Sequence, residues 1–263
     1  MTSGVVCQSI SRIGLSEPFE LQVSRGQITG HKTALVSGVS SSVGTSFSTV
    51  WSQNNIYSYP SSATVLEISS SSANDTAAGT GARTVSIYGL DGNYNEINET
   101  VTLNGQTAVN TVNSYLRVFH LAVLTAGSGG AASGTIYAGT GTVTSGVPAN
   151  IYGTYTTGAG ATACIWTVPA GYTAFLNTYS SGYGSTTANA YGSVSVCVRP
   201  YGSVFDTILQ GRTSNGTALV VSYPYPLAIP EKSDIEIRAL SSTAGANITA
   251  EFQIIYILND GAL

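Results

Sequence analysis

The sequence is short of charge. Only 8% of its 263 residues are Asp, Glu, Lys or Arg, against roughly 25% in an average soluble domain. It has two lysines, Lys32 and Lys232, and a formal net charge of -4. No basic run is present, which argues against nucleic acid as a partner, because phosphate binding needs clustered Lys and Arg. Long apolar runs are missing too. The longest, Ile254-Ile255-Tyr256-Ile257-Leu258, is strand length, well below the roughly 20 residues of a membrane helix, so no membrane partner is expected. The opening MTSGVVCQSISRIG has no basic segment leading into a long apolar core, so it does not read as a signal peptide. Cysteine is scarce. Cys7, Cys164 and Cys197 form an odd set without metal-type spacing, which fits folding in a reducing compartment. Cys164 and Cys197 sit in apolar stretches and are expected to be small core residues.

Catalytic motifs are also missing. There is no phosphate-binding P-loop, no His-Glu-x-x-His, no Cys-x-x-Cys and no Gly-x-Ser-x-Gly elbow. Gly79-Thr80-Gly81 fails the dinucleotide pattern, since position 84 is Thr. Histidine is the usual general base, and the chain has two: His31 in a turn-like Gly-His-Lys and His120 inside a strand-like run. Both are expected to be structural. Asp91, Asn93 and Asn95 alternate like the first ligands of a calcium loop. The sixth position, however, is Glu96 where Gly is needed, and the twelfth is Thr102 where a bidentate Glu is needed. A hairpin turn is the expected reading. No carboxylate pair stands out for glycoside chemistry. The Asn-x-Thr sites at Asn74, Asn98, Asn215 and Asn247 are expected by chance in so Thr-rich a chain. No catalytic residue, cofactor or metal is expected.

What the chain does have is apolar content, glycine and tyrosine. A disordered chain combines low hydrophobicity with high net charge. Here the hydrophobic fraction is 43%, so the chain should fold, with a surface built from Ser, Thr, Asn and Gly. Nearly uncharged surfaces are unusual for free monomers and suit a protein packed among identical neighbours. Ile97, Val101 and Leu103 alternate with Asn98, Thr100 and Thr102, the period-2 pattern of a half-buried strand. Asp91-Gly92 and Asn104-Gly105 flank it and favour type I′ turns. The segment therefore predicts a three-stranded meander over 83–90, 96–103 and 106–112, with a fourth strand from Tyr115 to Leu124. Alternation recurs at Val194, Val196 and Val198, at Ile235 and Ile237, and from Ile248 to Tyr256. Pro169-Ala170-Gly171 predicts a corner between strands.

Gly127 to Gly146 is rich in Gly, Ser and Thr, a composition typical of flexible connections. It predicts a domain boundary near residue 150. The expected fold is all-β: two antiparallel β-sandwich or jelly-roll-like domains, 51–146 and 147–263, preceded by an extended N-terminal arm over 1–50. Within the arm, Phe19 to Val23 predicts a strand, and the rest predicts extended chain or strands awaiting a neighbour. Tyr152, Tyr155, Tyr172, Tyr179, Tyr183 and Tyr191 lie among Gly, Ser, Thr and Asn, the composition of loops that use Tyr for rigid contact area. They are expected at subunit contacts or strand edges, with a glycan or receptor surface as the sharper alternative.

Three runs carry a resemblance: FELQVSRGQITGHKTALVSG, VWSQNNIYSYPSSATVLEISSSSANDTAAGTGARTVSIYGLDGNYNEINETVTLNG and VNSYLRVFHLAVLTAGS. They resemble virion structural proteins of tailed bacteriophages, notably of aquatic hosts. WTVPAGYTAFL and PLAIPEKSDIEIRAL are similar more loosely. The resemblance implies a non-enzymatic, β-rich virion component, made and assembled in the bacterial cytoplasm. The position expected for it is that of a capsid decoration or cement subunit. Its expected partners are the major capsid protein and copies of itself as a homotrimer, since oligomers of this kind are symmetric. Docking is expected through Phe19, Leu21, Val23 and Trp51. Outward contacts are expected through Tyr152, Tyr155, Tyr179, Tyr183 and Tyr191, with a host-surface glycan as a further partner. A tail or neck component, including a receptor-binding fibre subunit, is the alternative. A carbohydrate-active hydrolase is a more distant one.

Overall fold

The computed structural model describes residues 17–158 and 163–259; Cys7 and the opening segment lie outside them. Helix α1 spans Phe19–Ser24 and is followed by β1 (His31–Val43) and β2 (Ser48–Thr49). Strands β3 (Thr64–Ser70), β4 (Ala82–Leu90), β5 (Glu96–Thr102), β6 (Val109–Tyr115), β7 (Arg117–Ala126), β8 (Ile136–Thr140) and β9 (Asn150–Tyr155) come next. The last group is β10 (Ile165–Thr167), β11 (Tyr172–Gly184), β12 (Tyr191–Arg199), β13 (Asp206–Ser214), β14 (Ala218–Ile229), β15 (Asp234–Ser241) and β16 (Ala246–Leu258).

The strands form two antiparallel sandwiches. One pairs the sheet β6-β3-β8-β9 with the sheet β5-β4-β7 around Leu66, Ile68, Val85, Ile87, Leu121 and Ile136. The other pairs β1-β16-β11-β14 with β10-β15-β12-β13, where β2 joins β15. Its core holds Leu176, Tyr179, Val194, Val196, Ile237, Phe252 and Ile254. Alternation explains the inward faces, because successive side chains of a strand point to opposite sides. On β16, Ala246, Ile248, Ala250, Phe252 and Ile254 are buried while Asn247, Thr249 and Gln253 are exposed.

Chain order departs from two domains in series behind an arm. Residues 31–43 form β1, which pairs with β16 from His31 opposite Ile257 to Val43 opposite Ala246. The stretch expected as an arm thus completes a sheet of the last sandwich. The described chain contributes β1 and β2 to this terminal sandwich, leaves it after β2, builds the other as an insertion, and returns at β10. The expected strand at Phe19 to Val23 is a helix instead. Pro18 at its N-cap accepts the N–H of Leu21 and Gln22 at 3.1 Å. Glu20 in the first turn faces the positive end of the helix. Six residues with apolar positions at 19, 21 and 23 fit either element, and the turn chemistry at Pro18 decides.

The boundary expected at 146/147 moves as well. β9 lies beyond it yet pairs with β8, and β8 is an interior strand of its sheet. The Gly-rich stretch around β8 is therefore no linker. Its glycines allow close backbone approach: at Gly146, with φ +79°, a Cβ would lie 1.8 Å from the Ser70 carbonyl oxygen.

The meander is cut in two. β4 and β5 form the predicted hairpin, with Thr84 opposite Thr102 and Leu90 opposite Glu96. The chain then crosses at Asn104-Gly105 to the facing sheet, where β6 pairs with β3, and β7 returns to the other side of β4. Asp75, in the loop before β4, holds this corner. Its carbonyl accepts the Gly105 N–H at 2.7 Å, and the Gly105 carbonyl accepts the Ser70 N–H at 2.9 Å. The Asp75 carboxylate is fully buried and accepts the Ser70 hydroxyl at 2.6 Å. It also accepts the N–H groups of Ala82, Ser133 and Gly134 at 2.7, 2.8 and 3.0 Å. The Asp91-Gly92 turn is longer than predicted. Asp91 Oδ1 accepts the N–H of Asn93 and Asn95 at 2.8 and 2.9 Å, and the left-handed residue is Tyr94 at φ 65°, not Gly92.

Candidate functional site

Five charged side chains, Arg117, Arg199, Asp234, Glu236 and Arg238, gather where the sandwiches meet. β15 presents Asp234, Glu236 and Arg238 on one face, because alternate residues share a side, while Ile235 and Ile237 enter the core. Arg117, at the start of β7 in the inserted sandwich, reaches across. Its Nε donates to Asp234 Oδ1 at 2.8 Å and its Nη2 to Oδ2 at 3.2 Å. Its Nη1 donates to the carbonyls of Pro60 and Leu116 at 3.0 and 2.9 Å. Arg199, ending β12, donates Nε to Asp234 Oδ2 at 3.0 Å, and Thr167 Oγ1 donates to Oδ1 at 2.6 Å. Burial opposes the Arg117 charge, but the Asp234 carboxylate overrides it and holds the guanidinium above its ordinary pKa. Glu236 is fully buried, accepts the Tyr59 hydroxyl at 3.1 Å and pairs with Arg238. Burial lifts its carboxyl above the ordinary 4.5, against the pull of Arg238.

Rings fill the spaces between the arginines. Tyr59 lies 4.9 Å from the Arg117 guanidinium and 4.6 Å from that of Arg199. Phe205 lies 4.6 Å from Arg199 and 4.8 Å from Arg238. The result is a ladder of cation, ring, cation, ring, cation, an arrangement that stabilises partly desolvated guanidinium groups.

In front of this ladder is an open cleft of about 290 Å³. Tyr59, Pro60 and Ser61 wall it from the connecting segment, Tyr94 from the inserted sandwich, and Tyr201, Ser203 and Lys232 from the terminal one. The rings of Tyr94 and Tyr201 meet at 90° with centroids 5.8 Å apart. The Lys232 ammonium sits 5.9 and 5.6 Å from their centres. Among the described residues Lys232 makes no salt bridge. Asp234 is the one carboxylate among the lining residues, and two arginines already share it. A second depression, about 430 Å³ between β1, β7 and Trp166, is lined by neutral side chains and His120. Among the described residues no group of three or more His, Cys, Asp or Glu could hold a metal ion.

The residues singled out from sequence are scattered. Phe19 and Leu21 are each 46% exposed on α1, but Val23 beside them is buried. Trp51 is only 3% exposed and packs with Tyr57 and Ile165 in a small cluster between the sandwiches, its Nε1 donating to the Asn55 carbonyl at 2.9 Å. Val23 and Trp51 are therefore interior and present no surface for docking. Tyr179 and Tyr183 are interior too: both lie on the inward side of β11, and the Tyr183 hydroxyl meets Ser241 Oγ at 2.8 Å. Tyr191 is half-buried under Arg212, 4.3 Å from its guanidinium. Tyr152 and Tyr155 are half-buried against the inserted core. Tyr172 meets Tyr256 edge to face, with Lys32 5.1 Å above its ring. Cys164 and Cys197 are free and buried. The cleft residues Tyr94, Tyr201 and Lys232 were missed by the sequence reading. The available signal, for Lys232 alone, was a local density of charge from Glu231 to Arg238 in a chain with only 8% charged residues.

No protein-family model matches the sequence, and no curated protein matches it. Among solved structures, a chain of the infectious bursal disease virus Gx strain is 9% identical with a TM-score of 0.25, covering 89% of this chain and 73% of that one. The infectious bursal disease virus VP2 subviral particle gives 10% identity and a TM-score of 0.24, covering 89% and 74%. Superpositions this loose carry no argument about fold or function.

Proposed function

We propose that the chain is a non-enzymatic structural subunit of a tailed-phage virion, and that its place is on the capsid as a decoration or cement subunit. One observation carries the reading beyond the sequence resemblance: apolar side chains stand exposed along an uncharged sheet edge. β14 closes one sheet of the terminal sandwich, and on it Val220 is 62% and Tyr225 is 90% exposed. An unpaired apolar edge is a template for pairing with another chain. In a virion subunit it is covered by a neighbour, either another copy or the major capsid protein. A homotrimer is the assembly we favour, and the host cytoplasm is where it would be built. The two carboxylates on the shared face of β15, Asp234 and Glu236, are each bound to arginines, which supports a structural role for them over a hydrolytic one.

The cleft between the sandwiches favours a second reading, a tail or neck component with a receptor-binding role. Copy number separates the two. Quantitative mass spectrometry of purified particles against the major capsid protein should find hundreds of copies for a decoration subunit. A handful, in multiples of three or six, would move the chain to the tail or neck.

A further inference from the structure

We propose that the cleft between the two sandwiches is a binding site for an anionic sugar of a glycan, with Tyr94 and Tyr201 as stacking faces and Lys232 as the anion contact. The inference does not depend on where the chain sits in a particle. It begins with the backbone. Among the described residues, five non-glycine residues have positive φ: Asn54, Tyr94, Ser145, Asn189 and Lys232. Asn adopts this region readily, but a bulky residue there is an outlier. The two bulky ones, Tyr94 at 65° and Lys232 at 61°, both line the same cleft. Strained backbone of this kind persists where the surroundings over-determine it, and it clusters at ligand sites.

The surroundings here are one strand corner. The Ala170 N–H donates to the Tyr94 carbonyl at 3.0 Å, and the Lys232 N–H donates to the Val168 carbonyl at 2.8 Å. The corner at 168–170 thus fixes both residues, one from each sandwich, so the cleft walls are held before any ligand arrives. Gly92, Asn93 and Asn95 lie in the same turn as Tyr94, and Gly or Asn would take the left-handed position with less strain. Turn geometry therefore does not explain a tyrosine there, whereas a ring aimed at Tyr201 does.

The chemistry of the walls selects the ligand. Sugar rings present C–H faces that pack on aromatic rings, and hydroxyls that bond polar groups; the cleft offers Tyr94 and Tyr201 with Ser61 and Ser203. Charge adds the anion. Arg117, Arg199 and Lys232 stand against a single lining carboxylate, Asp234, in a chain whose net charge is -4. Lys232 lies at the solvent side of the ladder, half-buried, so its ammonium can meet a carboxylate or sulfate without breaking the Arg-Asp pairs. The volume of about 290 Å³ suits one or two sugar units.

Calorimetric titration of the full chain tests this, with a galacturonate trimer and a sulfated galactose trimer as probes and maltotriose as the neutral control. One acidic trimer is expected to bind more tightly than maltotriose, and which one binds identifies the anion. Lys232→Gln and Tyr201→Ala should each weaken that binding by about tenfold without lowering the unfolding temperature. Tyr94→Asn should lose binding while the unfolding temperature holds or rises, because it relieves the left-handed strain. Tyr225→Ala, on the distant β14 edge, should bind as the parent does. Failure of both acidic trimers to bind, equal binding of maltotriose, or full binding by Lys232→Gln would each overturn the proposal.

Discussion

At the scale of single residues, two buried carboxylates are satisfied in different ways. Asp234 is neutralised by guanidinium groups from both sandwiches. Asp75 has no cation among its described partners and relies on hydrogen bonds alone, accepting three N–H groups and one hydroxyl. Hydrogen bonds to a charged group contribute about 1.5–3 kcal/mol each, and an abandoned buried donor costs about 1–3 kcal/mol. Asp75→Ala is therefore expected to destabilise the inserted sandwich by at least about 3 kcal/mol, read as a lower urea midpoint at an unchanged slope. A loss under about 1 kcal/mol would mean that water replaces the carboxylate. This residue also explains the Ser-rich run SSSSANDTAAGTGAR that precedes the hairpin. Its Asp organises the loop, and its glycines let chains pass: a Cβ on Gly81 would lie 2.1 Å from Asp75 Oδ1. Neither role shows as periodicity, so neither was legible in the sequence.

At the scale of elements, β14 combines features that only an edge strand tolerates. Its pairing with β11 steps from Thr178 opposite Ser222 to Leu176 opposite Leu227. Tyr223-Pro224-Tyr225-Pro226 bulges out between these positions. Proline lacks the N–H that a ladder needs and is confined to edges and bulges, so the YPYP run belongs on this strand. The inward residues Leu219, Val221 and Tyr223 pack on the core while Val220 and Ser222 face out. If this edge is covered in the assembled state, Val220→Lys together with Tyr225→Lys should abolish self-association in analytical ultracentrifugation. The unfolding midpoint should stay within about 0.5 kcal/mol of the parent, as for most exposed substitutions. A parent chain that remains monomeric at all concentrations would count against the edge as a self-contact.

At the scale of the whole molecule, the insertion has a consequence for truncation. Residues 1–50 include β1 and β2, which pair with β16 and β15. They also include Val43 and Val50, both fully buried. Deleting them leaves β16 as an unpaired edge and opens the terminal core. The shortened chain should lose cooperative unfolding of the terminal sandwich, followed by near-ultraviolet circular dichroism. The inserted sandwich, with its own core around Ile68 and Ile87, should keep a transition. Retention of both transitions would show that β1 is dispensable. Such a deletion cannot isolate docking, which has to be probed at the exposed Phe19 and Leu21 instead.

Strand content, inward faces and the absence of recognisable catalytic motifs were determined by the sequence alone. A pleated strand repeats every two residues, so its buried face is written locally, as in Val194, Val196 and Val198 or Ile248 to Ile254. The burial of Tyr179 and Tyr183 was equally local in principle, but the bulge between Leu176 and Thr178 shifts the parity that would have revealed it. Which strand pairs with which was decided only by the tertiary structure. β1 and β16 are joined from opposite ends of the chain, and β6 leaves β5 for β3, because partner choice depends on contacts between distant residues that no local pattern records. The cleft is of the same kind: Tyr94, Tyr201 and Lys232 come together only once one sandwich is inserted in the other and the corner at 168–170 clamps them.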